Sequence, residues 1–199
     1  MKRMMTIVLC MSILTGCGWV YEIGVNGEES GSTTDMTEAG NEVETFQFVN
    51  ETGEPFGTEQ LAGGYWVANF IFANCPSVCP LMTPNMLSLQ DEMIAADVPV
   101  TFISFTVDPE RDTPEILQAY GRNVGADLDS WHFLTGYDEA EISEFALDSF
   151  LSVVQPSEDD IIHPTYFFLI DPDGLIIRKY DGLTTNQDAI IADLKETIQ

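Results

Sequence analysis

Basic residues are scarce in this sequence. Seven lysines and arginines stand against 33 aspartates and glutamates, which gives the 199-residue chain a net charge of −26. A chain with this charge repels the phosphates of nucleic acids and anionic lipid head groups. We therefore exclude nucleic acid as a partner, and we interpret the acidity as a source of solubility in a saline or alkaline exterior.

The sequence lacks internal repeats, and its composition excludes a disordered chain. Apolar residues make up 45% of the chain and aromatic residues 11%, which is typical of globular proteins. The length is sufficient for one domain with a buried core and for additional segments outside it.

The apolar run at the N-terminus is too short to cross a membrane. It spans residues 4–14, whereas a bilayer core of roughly 30 Å requires about 20 apolar residues. Because it lies between the positive start "MKR" and "LTGC", it predicts a signal peptide over residues 1–16. The segment Leu14–Cys17 resembles the lipobox of bacterial lipoproteins, which implies cleavage before Cys17 and a diacylglycerol thioether on its sulfur. The alternative is an ordinary signal peptide in which Cys17 has no role.

The predicted signal and lipid anchor define the remaining organisation. Two or more acyl chains give stable anchoring, so we expect the protein on the outer face of the cytoplasmic membrane. Residues 17–42 are rich in glycine, serine, threonine and acidic residues and show no sustained periodicity. They predict a flexible acidic linker. The folded domain is predicted to span residues 43–199.

The order of the predicted strands and helices indicates an α/β fold. Residues 64–73 are almost continuously apolar, as a central strand buried on both faces would be. A helical pattern follows them, and residues 98–108 predict a second buried strand. Near the C-terminus, the turn Asp171–Gly174 joins two further strands. This order predicts a thioredoxin-like fold, with a central mixed sheet flanked by helices, an extra N-terminal strand at 45–50, and a C-terminal β-hairpin plus helix.

Two of the four cysteines, Cys75 and Cys79, lie where a buried strand turns into a helix. In an exported protein a nearby pair is expected to form a disulfide. The closed loop would be too small to constrain the unfolded chain much, so a structural crosslink explains the pair poorly. A thiol near a helix N-terminus has a lowered pKa, and the thiolate attacks disulfides and binds soft metals. A redox pair, a metal site and a combination of both remain open.

His163 bears on the choice between redox and metal chemistry. It is one of two histidines and leads into a predicted core strand, opposite the cysteine loop of a thioredoxin-like sheet. Two sulfurs and one imidazole would suit Cu(I) or Cu(II), whereas zinc would require a fourth ligand or a water. The alternative is an ordinary hydrogen-bonded loop histidine. The segment that follows His163, "PTYFFLI", is similar to the thioredoxin segment in which a cis-proline precedes a strand. We therefore predict a cis peptide bond between His163 and Pro164. The other histidine, His132, is predicted to be a packing residue.

The chain resembles the Sco (SenC) family of copper-binding, thioredoxin-fold proteins that help to assemble cytochrome c oxidase. The matching motifs occur in family order over roughly residues 45–198, and they are "CPSVCPLMTPNM", "ISFTVDPERDTPEILQAY", "WHFLTG" and "HPTYFFLIDPDG". The resemblance implies that Cys75, Cys79 and His163 are the copper ligands. It also implies that the two cysteines cycle between dithiol and disulfide, and that Asp108 lies close to the site.

Several functions are compatible with these residues. The leading hypothesis is a membrane-tethered chaperone that loads copper into the dinuclear CuA centre of cytochrome c oxidase subunit II. The alternative is a thiol–disulfide oxidoreductase that reduces the cysteines of that centre, with Cys75 or Cys79 attacking and His163 assisting. A peroxidase is less favoured because the sequence lacks the peroxidatic Pro-x-x-x-Thr/Ser-x-x-Cys motif. A copper sensor that uses the same ligands is a third hypothesis.

Overall fold

The structure is a computed structural model that describes residues 32–157 and 160–199. The predicted signal peptide, Cys17 and the first part of the predicted linker lie outside the described residues. Within these two ranges, no helix combines the length and apolar character needed to cross a membrane.

The described part of the chain contains both strands and helices, and the two alternate from β3 to α4. In chain order the strands are β1 (Thr33–Asp35), β2 (Gln47–Val49), β3 (Pro55–Gly57), β4 (Tyr65–Ile71), β5 (Val100–Thr106), β6 (Trp131–Leu134), β7 (Gln155–Pro156), β8 (Ile161–Ile162), β9 (Tyr166–Ile170) and β10 (Ile176–Asp181). The helices are α1 (Thr58–Leu61), α2 (Cys79–Ala95), α3 (Pro114–Val124), α4 (Glu139–Phe150) and α5 (Asp188–Ile198).

Six strands form one mixed sheet in the order β1-β10-β9-β4-β5-β6. Strands β4, β5 and β6 are parallel, and α2 and α3 supply the crossover connections that parallel neighbours require. Strand β9 is antiparallel to β4, and β10 and β1 continue the antiparallel pairing. Strand β4 lies in the interior of this sheet, which explains its almost continuous apolar sequence. The predicted mixed sheet is confirmed.

Helices cover both faces of the sheet. Successive residues of a strand point to opposite faces, so Ser104 and Phe105 of β5 lie on different sides. Phe105 packs against Phe145 of α4, with ring centroids 5.2 Å apart. Phe133, the register partner of Ser104, packs against Tyr120 of α3 at 5.7 Å. Helix α4 therefore covers one face and α3 the other, where α2 contacts both α3 and α5.

The sheet extends further toward the N-terminus than the predicted domain start at residue 43. Thr33–Asp35 pairs with β10 as an edge strand, and Arg178 Nη1 of β10 lies 3.1 Å from Asp35 Oδ1. The predicted strand at 45–50 lies outside the main sheet, in a separate hairpin formed by β2 and β3. A three-residue polar edge strand has no apolar alternation. Its pairing depends on the neighbouring strand and the ion pair, neither of which a local sequence pattern reveals.

Two local predictions are confirmed. The turn Asp171–Gly174 joins β9 to β10 as an antiparallel hairpin. His132 is a packing residue, since its ring centroid lies 4.5 Å from that of Phe56. Its Nδ1 is also 3.4 Å from Glu51 Oε1, so the imidazole has a polar partner within the protein.

Gly121 of α3 generates a prediction about stability. A Cβ at this position would lie 2.8 Å from Phe133 Cε2 and 2.9 Å from Leu128 Cδ2. Alanine gains about 1 kcal/mol in helix propensity, but overpacking a core costs about 1–3 kcal/mol. We therefore expect Gly121→Ala to lower the free energy of unfolding in urea by about 1 kcal/mol. The exposed Asn123 of the same helix supplies the control, because Asn123→Ala should raise stability slightly. A stabilised Gly121→Ala variant would contradict the packing argument.

Candidate metal centre

The two cysteines lie where the central strand β4 gives way to helix α2. Strand β4 ends at Ile71, and α2 begins at Cys79 itself. The N–H of Cys79 donates a hydrogen bond to Cys75 Sγ at 3.4 Å. A donor at the positive end of a helix dipole favours negative charge on the acceptor. The local fold therefore stabilises a thiolate at Cys75.

His163 reaches the cysteines because β9 runs antiparallel beside β4, so that the start of β9 lies at the same end of the sheet as the end of β4. His163 Nε2 is 3.8 Å from Cys79 Sγ, and Nδ1 is 3.0 Å from Pro164 O. A carbonyl oxygen only accepts, so Nδ1 carries the proton and donates it. The lone pair of Nε2 is thereby left facing the sulfur, as a metal-ligating histidine requires.

Cys75, Cys79 and His163 form one group of side chains that could hold a metal ion. Their donor atoms all lie within 4.8 Å of one another. Metal bonds of about 2.3 Å from sulfur and about 2.0 Å from nitrogen place two donors at most about 4.6 Å apart. The three donors therefore already lie close to ligating separation. Both cysteines are free thiols, so the structure represents the reduced pair, and the predicted disulfide is not formed in it.

Burial and hydrogen bonding together give the two thiols different pKa values. For the half-buried Cys75, burial would raise the pKa, but hydrogen bonds from Cys79 and from the backbone of Ser77 and Val78 outweigh it and lower the pKa below its ordinary value. For Cys79, which is 3% exposed, burial and the hydrogen bond with Cys75 raise the pKa. Cys75 is therefore the thiol that ionises first and the one that a partner can reach.

The imidazole of His163 is buried and stays neutral. It is 7% exposed, and its ring lies nearly perpendicular to that of Phe72, with centroids 5.9 Å apart. Burial lowers the pKa of His163 below 6.5, against opposing contributions from the Pro164 carbonyl and Asp160. A neutral imidazole is the form that binds a metal.

The prediction of a cis bond between His163 and Pro164 is wrong. No cis peptide occurs among the described residues. The trans form of an X–Pro bond is favoured by about 0.5–1 kcal/mol unless the context overrides it. Here the trans form already brings the imidazole to Cys79 and to the Pro164 carbonyl, so nothing in the site requires the other isomer.

Asp108 lies at the end of β5, beside the cysteine loop. It is 5% exposed, and Arg111 Nη1 lies 3.2 Å from its Oδ2. Asp108 and Cys75 line the same cleft, which has a volume of about 530 Å³. We call this the acidic cleft, because its walls carry three further carboxylates, those of Glu110, Glu139 and Asp160. Asp108 is not one of the three grouped donors, so its place in the site is on the wall of this cleft.

Asp112 supports the cysteine loop but is not among the predicted site residues. It is 2% exposed, and its Oδ2 accepts the N–H of Ala73 at 2.9 Å, two residues before Cys75. The same oxygen accepts the hydroxyl of Thr106 at the end of β5. Burial raises the pKa of this carboxyl, and the two hydrogen bonds oppose that effect. In the sequence Asp112 is one acid of a charged turn that ends in a helix cap, and no local pattern distinguishes it from its neighbours.

A contact joins the hairpin of β7 and β8 to the cysteine loop. The hydroxyl of Ser77, between the two cysteines, interacts with Asp160 and lowers the pKa of that carboxyl. Ser77 Oγ also lies 3.8 Å from Cys75 Sγ. Because β8 leads directly into His163, this contact connects the two segments that carry the sulfur and nitrogen donors.

Comparisons with known proteins agree on one family. The family profile described as SCO1/SenC matches residues 34–199. The SCO1 protein homolog of Bacillus subtilis (strain 168) is 45% identical over 157 residues, which cover 77% of this chain and 81% of that protein.

Solved structures give the same result. A SCO1/SenC family lipoprotein from Bacillus anthracis has a TM-score of 0.76 at 43% identity, over 79% of this chain and 95% of that one. BsSco, described as having a disulfide switch and as a member of the Sco family of cytochrome c oxidase assembly proteins, has a TM-score of 0.73 at 43% identity, over 80% and 95% of the chains. Bradyrhizobium japonicum ScoI with copper bound has a TM-score of 0.64 at 27% identity, over 77% of this chain and 97% of that one. The thioredoxin-like fold predicted from the sequence is confirmed.

The role of Asp112 can be tested by substitution. Asp112→Ala leaves the buried Thr106 hydroxyl and the partly buried Ala73 N–H without an acceptor, at about 1–3 kcal/mol each, so we expect the free energy of unfolding to fall by about 2–6 kcal/mol. The pKa of Cys75 should return toward its ordinary value, because the loop that positions Cys75 loses the hydrogen bond from the Ala73 N–H to Asp112. Urea unfolding and the pH dependence of Cys75 alkylation measure the two effects.

Two further variants separate positioning by Asp112 from a general loss of stability. Asp112→Asn keeps an acceptor oxygen and should restore most of both properties. Ser104→Ala removes a buried hydroxyl that accepts from Trp131 and donates to Asn69. It should lower stability and leave the pKa of Cys75 unchanged. If Ser104→Ala shifted that pKa as much as Asp112→Ala, the positioning role would be refuted.

Burial of His163 predicts a loss of stability on acidification. Its pKa is lowered from 6.5 in the folded chain, so below about pH 6.5 the unfolded chain takes up the proton first. The unfolded state then holds more protons, and the free energy of unfolding falls with pH until the folded histidine is protonated as well. Urea unfolding of the wild type and of His163→Gln between about pH 7.5 and pH 5 measures this contribution as the difference between the two profiles. Parallel profiles would contradict it.

Proposed function

The chain belongs to the SCO1/SenC family, and on that premise we propose that it is a membrane-tethered copper chaperone that assists assembly of the CuA centre of cytochrome c oxidase. One copper ion is bound through Cys75, Cys79 and His163. The observation that carries the proposal is the convergence of these three donors within 4.8 Å. The copper-bound state of Bradyrhizobium japonicum ScoI supports the choice of metal, and the description of BsSco supports the oxidase as the destination.

The donor set fits copper better than the commoner alternatives. Two thiolates and one imidazole are soft enough for Cu(I), and the nitrogen also suits Cu(II). Structural zinc sites hold four protein ligands, and the group in the described residues offers three. Three donors are also an advantage for a cargo ion, because a position stays available for a ligand of the acceptor. Asp108 would add negative charge near the bound cation without ligating it.

Redox state supplies a release mechanism. When the thiolates of Cys75 and Cys79 pass two electrons to a disulfide of a partner, an S–S bond forms between them, the partner's S–S bond breaks into two thiolates, and both sulfur donors are removed from the metal together. The hydrogen bond between the Cys79 N–H and Cys75 Sγ holds the two sulfurs near each other. The disulfide switch described for BsSco, which is 43% identical, supports the same behaviour in this chain.

The membrane tether is part of the same proposal. Cleavage after residue 16 and lipidation of Cys17 would anchor the chain to the outer face of the cytoplasmic membrane, with residues from Cys17 onward as the acidic linker. The lipoprotein from Bacillus anthracis, at 43% identity, supports an anchored form. Subunit II of the oxidase, which carries the CuA centre, would then be reached from a position on the same membrane.

The unequal thiols favour a second candidate function, a thiol–disulfide oxidoreductase. Cys75, with its lowered pKa, would attack a disulfide of the oxidase copper site and release one partner thiolate. Cys79 would then attack Cys75 Sγ and release the second, leaving Cys75 and Cys79 as a disulfide. The partner gains the two electrons that this pair loses. His163 would have no essential part in the reaction.

Copper titration of the reduced protein tests the leading proposal. We expect one equivalent to bind tightly, with thiolate-to-Cu(II) charge-transfer bands and a matching electron paramagnetic resonance signal. Because loss of an outer-shell partner alone costs about 10–100-fold in metal affinity, His163→Ala should weaken binding by at least about 100-fold and change the bands. The disulfide form should not bind. His132→Ala, which changes a histidine remote from the donors, is the matched control.

The opposite result would favour the reductase. Weak copper binding that does not depend on His163 would contradict the chaperone proposal. Oxidase assembly in cells that carry His163→Ala measures the same distinction, since full assembly would show that the imidazole is dispensable and that thiol chemistry is the main activity.

A further inference from the structure

A second cavity borders the cysteines and shares Ala73 and Cys75 with the acidic cleft. It lies between α2 and α3, has a volume of about 310 Å³, and has no carboxylate in its lining. We call it the α2–α3 groove. Because Cys75 lines both this groove and the acidic cleft, its thiol lies where an apolar surface and an acidic surface meet.

The walls of the groove are two helical stripes. Residues three or four positions apart share one face of a helix, and the α2 wall follows this spacing. From α2 the lining residues are Pro80, Thr83, Pro84 and Leu87, and from α3 they are Tyr120 and Val124. Most of this surface is hydrocarbon, and none of it carries a charge.

Two contacts between α2 and the α3 end define the width of the groove. Thr83 Oγ1 and Tyr120 OH lie 2.6 Å apart and form a hydrogen bond between α2 and α3. At the far end, a Cβ on Gly125 would lie 3.8 Å from Leu87 Cδ2, so the end of α3 closes against α2. The groove is thus preformed, and a segment bound there would not need to open the helices.

We propose that the α2–α3 groove is the docking surface for the copper acceptor. The segment it takes carries an apolar side chain next to the acceptor's own copper-binding cysteines. This inference rests on the proposed function, because transfer requires the acceptor's donors to reach the metal at Cys75, the half-buried ligand. When a segment of the acceptor lies in the groove, the residues next to it in the acceptor chain lie beside Cys75 Sγ.

Charge complementarity defines the rest of the acceptor surface. Four carboxylates line the acidic cleft beside Cys75, and Arg111 is the one basic residue in that lining. An acceptor that covers Cys75 therefore presents an apolar contact to the groove and basic or uncharged groups to the cleft. Opposite charge accelerates the encounter, whereas buried apolar contact lengthens the life of the complex.

The test measures binding of the apo CuA domain of oxidase subunit II to the copper-loaded protein by calorimetry. A carboxylate buried in an apolar groove without a partner is costly, so Leu87→Glu and Val124→Asp should each weaken binding by at least about tenfold. Leu147→Glu is the matched control, because Leu147 is a 52% exposed leucine of α4 on the opposite face of the sheet. It should change the affinity less than about twofold.

The outcomes separate this proposal from the proposed function. Copper stoichiometry and charge-transfer bands of the groove variants should match those of the wild type, which shows that they fold and that the metal site is intact. If copper-loaded wild type binds the CuA domain and both groove variants bind equally well, the groove proposal is overturned while the chaperone function stands. No affinity of the wild type for the CuA domain also overturns it. If sedimentation shows a dimer of this chain that only the groove variants dissociate, the occupant is a second copy instead.

Discussion

The antiparallel pairing of β9 with β4 is the constraint on which the site depends. It places the start of β9 beside the end of β4, and so brings His163 to Cys79, 84 positions earlier in the chain. The cysteines come from one strand end and the histidine from the neighbouring one. Neither segment holds three donors alone, so the centre exists only when the sheet is formed. Affinity for copper and stability of the fold are therefore linked.

Around this pairing, burial and hydrogen bonding act in opposite directions on the donors. Burial disfavours charge, and it raises the pKa of Cys79 and lowers that of His163. The Cys79 N–H and its neighbours reverse the effect at Cys75. As a result, the half-buried Cys75 ionises readily. The buried Cys79 ionises only with difficulty, and the buried His163 stays neutral. That division suits a site that must accept a metal and also give it up.

Much of this arrangement could be predicted from the sequence, because the decisive signals are local. Cys75 and Cys79 follow a strongly apolar strand, and His163 precedes another. Other features depend on contacts between distant residues. Strand β1 is a short polar edge strand that pairs with β10. Asp112 looks like an acid in a helix-capping turn, and only the folded chain brings Ala73 to its carboxylate.

The net charge of −26 sets a condition on every partner of Cys75. An acidic chain repels an acidic acceptor at long range, and salt at physiological strength screens that repulsion beyond about 8 Å. Inside that distance the surface beside Cys75 is of two kinds, the four carboxylates of the acidic cleft and the uncharged side chains of the α2–α3 groove. Because Cys75 lines both surfaces, the proposed acceptor would contact both of them to reach the metal. Under the proposed function, the choice of acceptor would depend on the walls around Cys75, because the three donors select a thiophilic ion and not a protein partner.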